Sequence, residues 1–156
     1  MSEQGVADKL ADVILPEGYE PSEETDEEYM CELQRAYFRL QLLDWKEQLM
    51  EEAEKTVHGM HEEKAVFADP TDRASLETDR NFELRTRDRE RKLIGKIERT
   101  IRTIEEDEYG YCNGCGVEIG LGRLQARPVT DLCIDCKTKE EQLERVHRDD
   151  DDVDEE

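Results

Sequence analysis

Apolar residues in the first half of the chain recur in steps of three and four. They fall at 30, 33, 37 and 40 and then at 42, 45, 49, 53, 57 and 60, the spacing that keeps one face of an α-helix dry. The pattern predicts a helix from near Asp26 or Glu27 to about Phe67, roughly 60 Å of rod. Pro70 interrupts it, and a second helix of similar length follows to about Glu106, with its seam at Leu93 or Ile94, Ile97, Ile101 and Ile104. So short a connection between long amphipathic helices predicts an antiparallel hairpin, in effect a two-stranded coiled coil. At its base, Leu33, Tyr37 and Leu40 can face Ile97, Ile101 and Ile104. Farther out, eight of the ten residues from Glu83 to Lys92 are charged, and no apolar side chain is available for the seam between Leu84 and Leu93. A rod stiff at its base and polar toward its tip suits insertion into a partner. A solvated face laced by i,i+4 ion pairs accounts for the same pattern.

Beyond the helices, Cys112, Cys115, Cys133 and Cys136 form C-x2-C, seventeen residues, C-x2-C, inside the window that reads as a zinc site. Gly110, Gly114 and Gly116 surround the first pair and supply its tight turns. Four thiolates make a closed tetrahedral site with no position left for substrate, so such a metal holds structure. The other uses of the four cysteines are disulfides or a redox pair. Disulfides need export, and residues 1–20 show no basic start followed by an apolar core, so a cytoplasmic chain is expected. A redox pair needs a strand–helix–strand context that the pattern lacks. Cys31 is expected to be a small helical residue.

Composition narrows the class. With 156 residues, 35% hydrophobic and 42% charged, the chain cannot fill one compact domain of ordinary core content. It suits long helices with a narrow seam plus a small metal-stapled unit. No apolar run approaches membrane-spanning length. The net charge of −21 opposes nucleic-acid binding. The distribution of charge adds to this. Residues 80–102 hold nine of the 22 Lys and Arg against four acids, leaving −26 on the remainder. Any anion bound there should be small and local.

Residues 1–26 read as a leader: an amphipathic piece (Val6, Leu10, Val13, Ile14) followed by proline turns and an acidic run. The hairpin tip reads Phe67-Ala-Asp69-Pro70-Thr71-Asp72-Arg73-Ala74. Asp69 is a good N-cap, Pro70 suits the first helical position, and Asp72 falls at N3, where an acid meets the helix dipole. The same two carboxylates are also carried to the exposed end of a long arm, where they could meet a bound Mg2+ or the polar groups around one. The readings are compatible.

Four stretches together resemble the DksA/TraR family of bacterial transcription factors: Asp69 to Ala74, Glu83 to Ile94, Gly110 to Gly120, and Ala126 to Lys137. The resemblance spans about Glu28 to Glu144. It implies a mainly α protein: a long antiparallel coiled-coil hairpin with a small four-cysteine zinc-binding globular domain and a C-terminal helix. The expected divisions are a leader packing on the globular part (1–32), the hairpin (33–107, tip 67–74), the zinc finger with its helix (108–147) and a disordered acidic tail (148–156). It further implies a monomer that binds RNA polymerase through the secondary channel, without touching DNA or membrane. With the alarmone ppGpp it would act in the stringent response, repressing stable-RNA promoters and activating some biosynthetic ones. By position, Asp69 and Asp72 match the family's tip acids. Arg89, Lys96, Arg127 and Lys137 match side chains that contribute to a ppGpp site shared with polymerase.

The chain departs from the family pattern at Thr86, where Asn is expected, and Gly95 interrupts the basic helix at a cost of about 1 kcal/mol relative to Ala. Two other functional classes remain open at this point. A tip acid pair could promote Mg2+-dependent cleavage of backtracked RNA, although no base or nucleophile lies nearby. The hairpin could instead serve as a docking rod for a different partner.

Overall fold

Four helices carry most of the described residues: α1 (Glu32–Glu62), α2 (Pro70–Glu105), α3 (Leu121–Ala126) and α4 (Ile134–Asp151). The computed structural model describes residues 10–24, 26–62 and 69–151, with side chains over 10–24, 26–55 and 69–146. Among them there is no strand, only an isolated antiparallel bridge between Tyr111 and Glu118. No helix among them is long and apolar enough to cross a membrane. The chain divides into two compact units, one of residues 38–103 and one formed by the segments up to Tyr37 and from Ile104 onward.

In the first unit α1 and α2 form the hairpin. Lys46 Nζ lies 2.8 Å from Glu98 Oε1. Seven residues further along α1, Ala53 shares a cleft with Leu84, Arg87, Asp88, Glu90, Arg91 and Ile94. Advancing from 46 to 53 therefore means retreating from 98 to about 91, so the helices are antiparallel. The cleft measures about 370 Å³ and opens where the charged stretch deprives the seam of apolar side chains.

The seam itself differs from the expected one. Phe38 and Leu42 are fully buried, whereas Leu40 is 49% exposed. Phe38 and Leu42 offer a second apolar row beside Leu33, Tyr37 and Leu40, and periodicity alone could not choose between the two. Tyr37 is only half-buried, and its ring meets Tyr19 edge-on with centroids 6.0 Å apart. On α2, Ile97 is buried as expected. Thr100 joins it, its hydroxyl satisfied by donating to the Lys96 carbonyl at 2.9 Å.

Helix α1 begins at Glu32, five or six residues later than the pattern predicts. Met30 sits at φ +53°, a left-handed conformation that a helix cannot continue through. Ahead of it, one Asp26 oxygen accepts from the Ser22 N–H, the Tyr19 hydroxyl and Gln34 Nε2. Burial works against the charge on Asp26, but these donors outweigh it and hold its carboxyl below the usual range. Cys31 accordingly precedes the helix, and its carbonyl accepts from the Arg35 N–H at 3.0 Å.

The second unit has a small core: Leu10, Met30, Ala36, Ile104, Tyr109, Cys112, Ile119, Leu121, Leu124 and Val129. Val13 of the leader is half-buried and Ile14 is exposed. Val6 and the tip residues Phe67 and Ala68 lie outside the described residues. Helix α4 runs to Asp151, so the acidic run from Asp149 begins as helix and not as the expected disordered tail; residues 152–156 lie outside the described set.

Two stability outcomes follow from the seam. Phe38→Ala should cost about 3–5 kcal/mol in denaturant unfolding, while Leu40→Ala should change it by about 0.5 kcal/mol. At Gly95 an added Cβ meets nothing within 4 Å, so Gly95→Ala should stabilise the hairpin by about 0.5–1 kcal/mol, read as a raised unfolding midpoint.

Candidate metal centre

The four cysteines of the spaced pairs come together. Their sulfurs lie within 4.8 Å of one another, and Cys115 Sγ is 3.7 Å from Cys133 Sγ. A disulfide needs about 2.05 Å, and all five cysteines are free. Around a zinc ion with bonds of about 2.3 Å, a tetrahedron of sulfurs has edges of about 3.8 Å. The spacing therefore fits a metal and not a bridge.

Local backbone geometry explains the cluster. In the first knuckle the Cys112 N–H donates to the Val117 carbonyl and the Gly116 N–H to the Cys112 carbonyl, each at 2.8 Å. Gly116 lies at φ +76°, where a side chain would be strained. The Ile119 N–H closes the loop on the Gly110 carbonyl at 2.8 Å. The second knuckle leads into α4, with the Cys136 N–H directed at Cys133 Sγ at 3.4 Å. Two contacts tie the knuckles together: Asn113 N–H to the Asp131 carbonyl at 2.8 Å, and Cys133 N–H to Cys112 Sγ at 3.2 Å. Gly114 is the point of closest approach. A Cβ there would lie 3.0 Å from Cys136 Sγ.

The N–H of Cys133 pulls the Cys112 thiol down to about 6. Hydrogen bonding with Cys115, ahead of its other thiol neighbours, pushes Cys136 up to about 12. One sulfur is thus a ready thiolate, but four cannot ionise together without a cation among them. The donor set is all-sulfur and closed, which suits structural zinc.

Comparison with known proteins points the same way. Residues 34–104 match the family described as DnaK suppressor protein DksA, N-terminal domain. Residues 107–142 match the prokaryotic dksA/traR C4-type zinc finger. The chain is 54% identical over 134 residues to the RNA polymerase-binding transcription factor DksA of Escherichia coli strain K12, covering 85% of this chain and 89% of that protein. It is 49% identical over 132 residues to the protein of the same name from Caulobacter vibrioides, covering 85% and 92%.

The chain belongs to the DksA family.

The solved structure of transcription factor DksA2 from Pseudomonas aeruginosa superposes with a TM-score of 0.70 at 33% identity, covering 89% of this chain and 98% of that one. A DksA-type zinc finger with its four cysteines clustered supports a structural Zn2+.

The other expected site residues of this DksA-family chain lie at separate places. Asp69 and Asp72 are exposed at the start of α2. Asp69 Oδ1 accepts from the Thr71 N–H at 3.1 Å, as an N-cap does, while Asp72 stands in the first turn. Arg89 and Lys96 lie on the hairpin unit and Arg127 and Lys137 on the zinc-finger unit. Arg89 and Arg127 are exposed. Lys137 Nζ is held 2.6 Å from Glu140 Oε2, and this hydrogen bond raises its pKa. Any anion it meets must first displace that exposed partner, which costs little. Thr86 donates back to the Phe82 carbonyl at 3.1 Å, so its hydroxyl is turned to its own helix.

Metal analysis of the purified protein should give one zinc per chain. Cys133→Ser should loosen the zinc-finger unit, seen as lost near-ultraviolet dichroism, while most of the far-ultraviolet helical signal stays. A metal-free chain that remains fully folded in chelator would contradict the assignment.

Proposed function

We propose that this protein is a non-enzymatic transcription factor that binds RNA polymerase, as its DksA relatives are named for doing, and that Cys112, Cys115, Cys133 and Cys136 hold its single structural zinc. The observation that carries the reading is the agreement in sequence over 134 residues, a stretch long enough to include the hairpin as well as the finger.

In this reading the hairpin enters the polymerase secondary channel and presents Asp69 and Asp72 to the polar surroundings of the active centre. Helix α1 rises about 47 Å and α2 about 54 Å, enough to hold two carboxylates far from the base of the hairpin. The Asp69 cap fixes the first turn of α2, so Asp72 is offered on an ordered backbone. The chain acts as a cytoplasmic monomer and does not bind DNA, in keeping with a net charge of −21 that a polyanion would repel.

The nucleotide ppGpp binds where Arg89, Lys96, Arg127 and Lys137 meet polymerase. The Arg side chains give planar forks and the Lys side chains point charges, both suited to phosphate. Arg89 and Lys96 are two turns apart on one face of α2, about 10 Å along its axis. With ppGpp the protein represses stable-RNA promoters and activates some biosynthetic ones.

A single-round transcription assay on a ribosomal promoter tests this. Asp72→Asn should leave polymerase binding near normal while the promoter effect falls, because the substitution is nearly isosteric. Lys96→Ala should remove most of the ppGpp-dependent increment and spare the basal effect, since one charge-assisted contact contributes about 1.5–3 kcal/mol. Equal loss of binding and effect in Asp72→Asn would make the tip a mere docking surface. A parental ppGpp response in Lys96→Ala would remove that residue from the site.

A further inference from the structure

The first knuckle is gripped from outside by a segment far away in sequence. The Tyr29 hydroxyl donates to the Gly110 carbonyl at 2.6 Å and also contacts the Ile119 carbonyl. Those two carbonyls stand at the two ends of the loop that carries Cys112 and Cys115. They flank the Tyr111–Glu118 bridge, and the Gly110 carbonyl also receives the Ile119 N–H. Met30 packs so close to the same place that a Cβ on Gly110 would lie 2.8 Å from Met30 Cγ and 2.9 Å from the Tyr29 hydroxyl. The Tyr29 ring meets Tyr111 edge-on at 5.8 Å.

The gripping segment is itself preassembled. Asp26 gathers Ser22, Tyr19 and Gln34, the Met30 N–H donates to Gln34 Oε1 at 2.8 Å, and Gln125 Nε2 reaches back to the Pro21 carbonyl at 3.0 Å. The segment therefore meets the part of its unit that follows Ile104 at two anchors, Pro21 and Tyr29.

We infer that Tyr29 is a positioning residue of the metal centre: by bridging Gly110 and Ile119 it holds the first knuckle closed and slows the departure of the metal, without touching a ligand sulfur. A closed four-sulfur site gives up its ion more readily when one knuckle can swing away from the other and expose a sulfur to exchange. The first knuckle cannot swing without parting the Gly110 and Ile119 ends or lifting both off the phenol. The phenol also keeps its proton for the task, since burial, and then the Glu118 charge, raise its pKa well above the ordinary value. A contact that also strengthens metal binding at equilibrium is reciprocal, so bound metal then steadies Tyr29 and the first turn of α1 in return.

The inference rests on the four-cysteine zinc assignment, and the test separates the two. Zinc-loaded full-length protein is mixed with a chromogenic chelator, and the release rate is followed well below the melting temperature. Tyr29→Phe keeps the ring and its edge contact but loses the hydrogen bond, and it should release zinc about tenfold faster. Thr100→Val is the control. It removes a buried hydroxyl's hydrogen bond in the hairpin, to the Lys96 carbonyl at 2.9 Å, outside the unit that holds the cysteines, and should release within about twofold of the parent. If Tyr29→Phe keeps the parental rate, or both variants accelerate alike, the inference is overturned. If the parent carries no zinc, the metal assignment itself has failed. Should Tyr29→Phe not fold, Gln125→Ala tests the other anchor, with release about threefold faster expected and an unchanged rate overturning the inference.

Discussion

Four sulfur atoms held within 4.8 Å of one another are a constraint that protein chemistry alone satisfies poorly. Thiolates repel, thiols bond weakly to each other, and the small surrounding core offers little hydrophobic energy in return. A cation among them reverses the balance. It turns mutual repulsion into four bonds and joins two loops seventeen residues apart. The knuckle hydrogen bonds and the close approach at Gly114 are arranged around that geometry.

The hairpin solves the opposite problem. It needs no metal because Phe38, Leu42, Ile97 and Thr100 give it a buried seam of its own. That seam thins toward the charged middle of α2, where a cleft replaces packing. This is the arrangement expected of an arm whose outer part serves partners more than its own stability. A Lys46–Glu98 pair marks the register, but as a surface contact it contributes modestly. Division of labour follows: the zinc-finger unit depends on coordination and the hairpin on burial.

Much of this was legible in the sequence because the signals were local. Cysteine spacing gave the metal cluster, three-and-four periodicity gave two long helices, and Asp69-Pro70 gave the capped start of α2. The misses turned on contacts that periodicity and spacing do not carry. Phe38 and Leu40 are equally apolar, and only the partner helix decides which one is buried. Thr100 reads as polar until its hydroxyl is seen bonded within the helix. The late start of α1 depends on Asp26 collecting donors from residues 19, 22 and 34, and on a left-handed Met30 that no propensity rule favours. Tyr29 carried no signal at all, since its acceptors are backbone carbonyls 81 and 90 residues away.

The central claim is that the metal organises one unit, including the segment ahead of α1, and leaves the other to its own seam. Amide hydrogen exchange with and without zinc tests it most directly. On chelation, residues 19–34 and 109–137 should lose protection together, while residues 76–100 of α2 keep most of theirs. Protection unchanged over 109–137, or lost to the same degree along α2, would contradict the account.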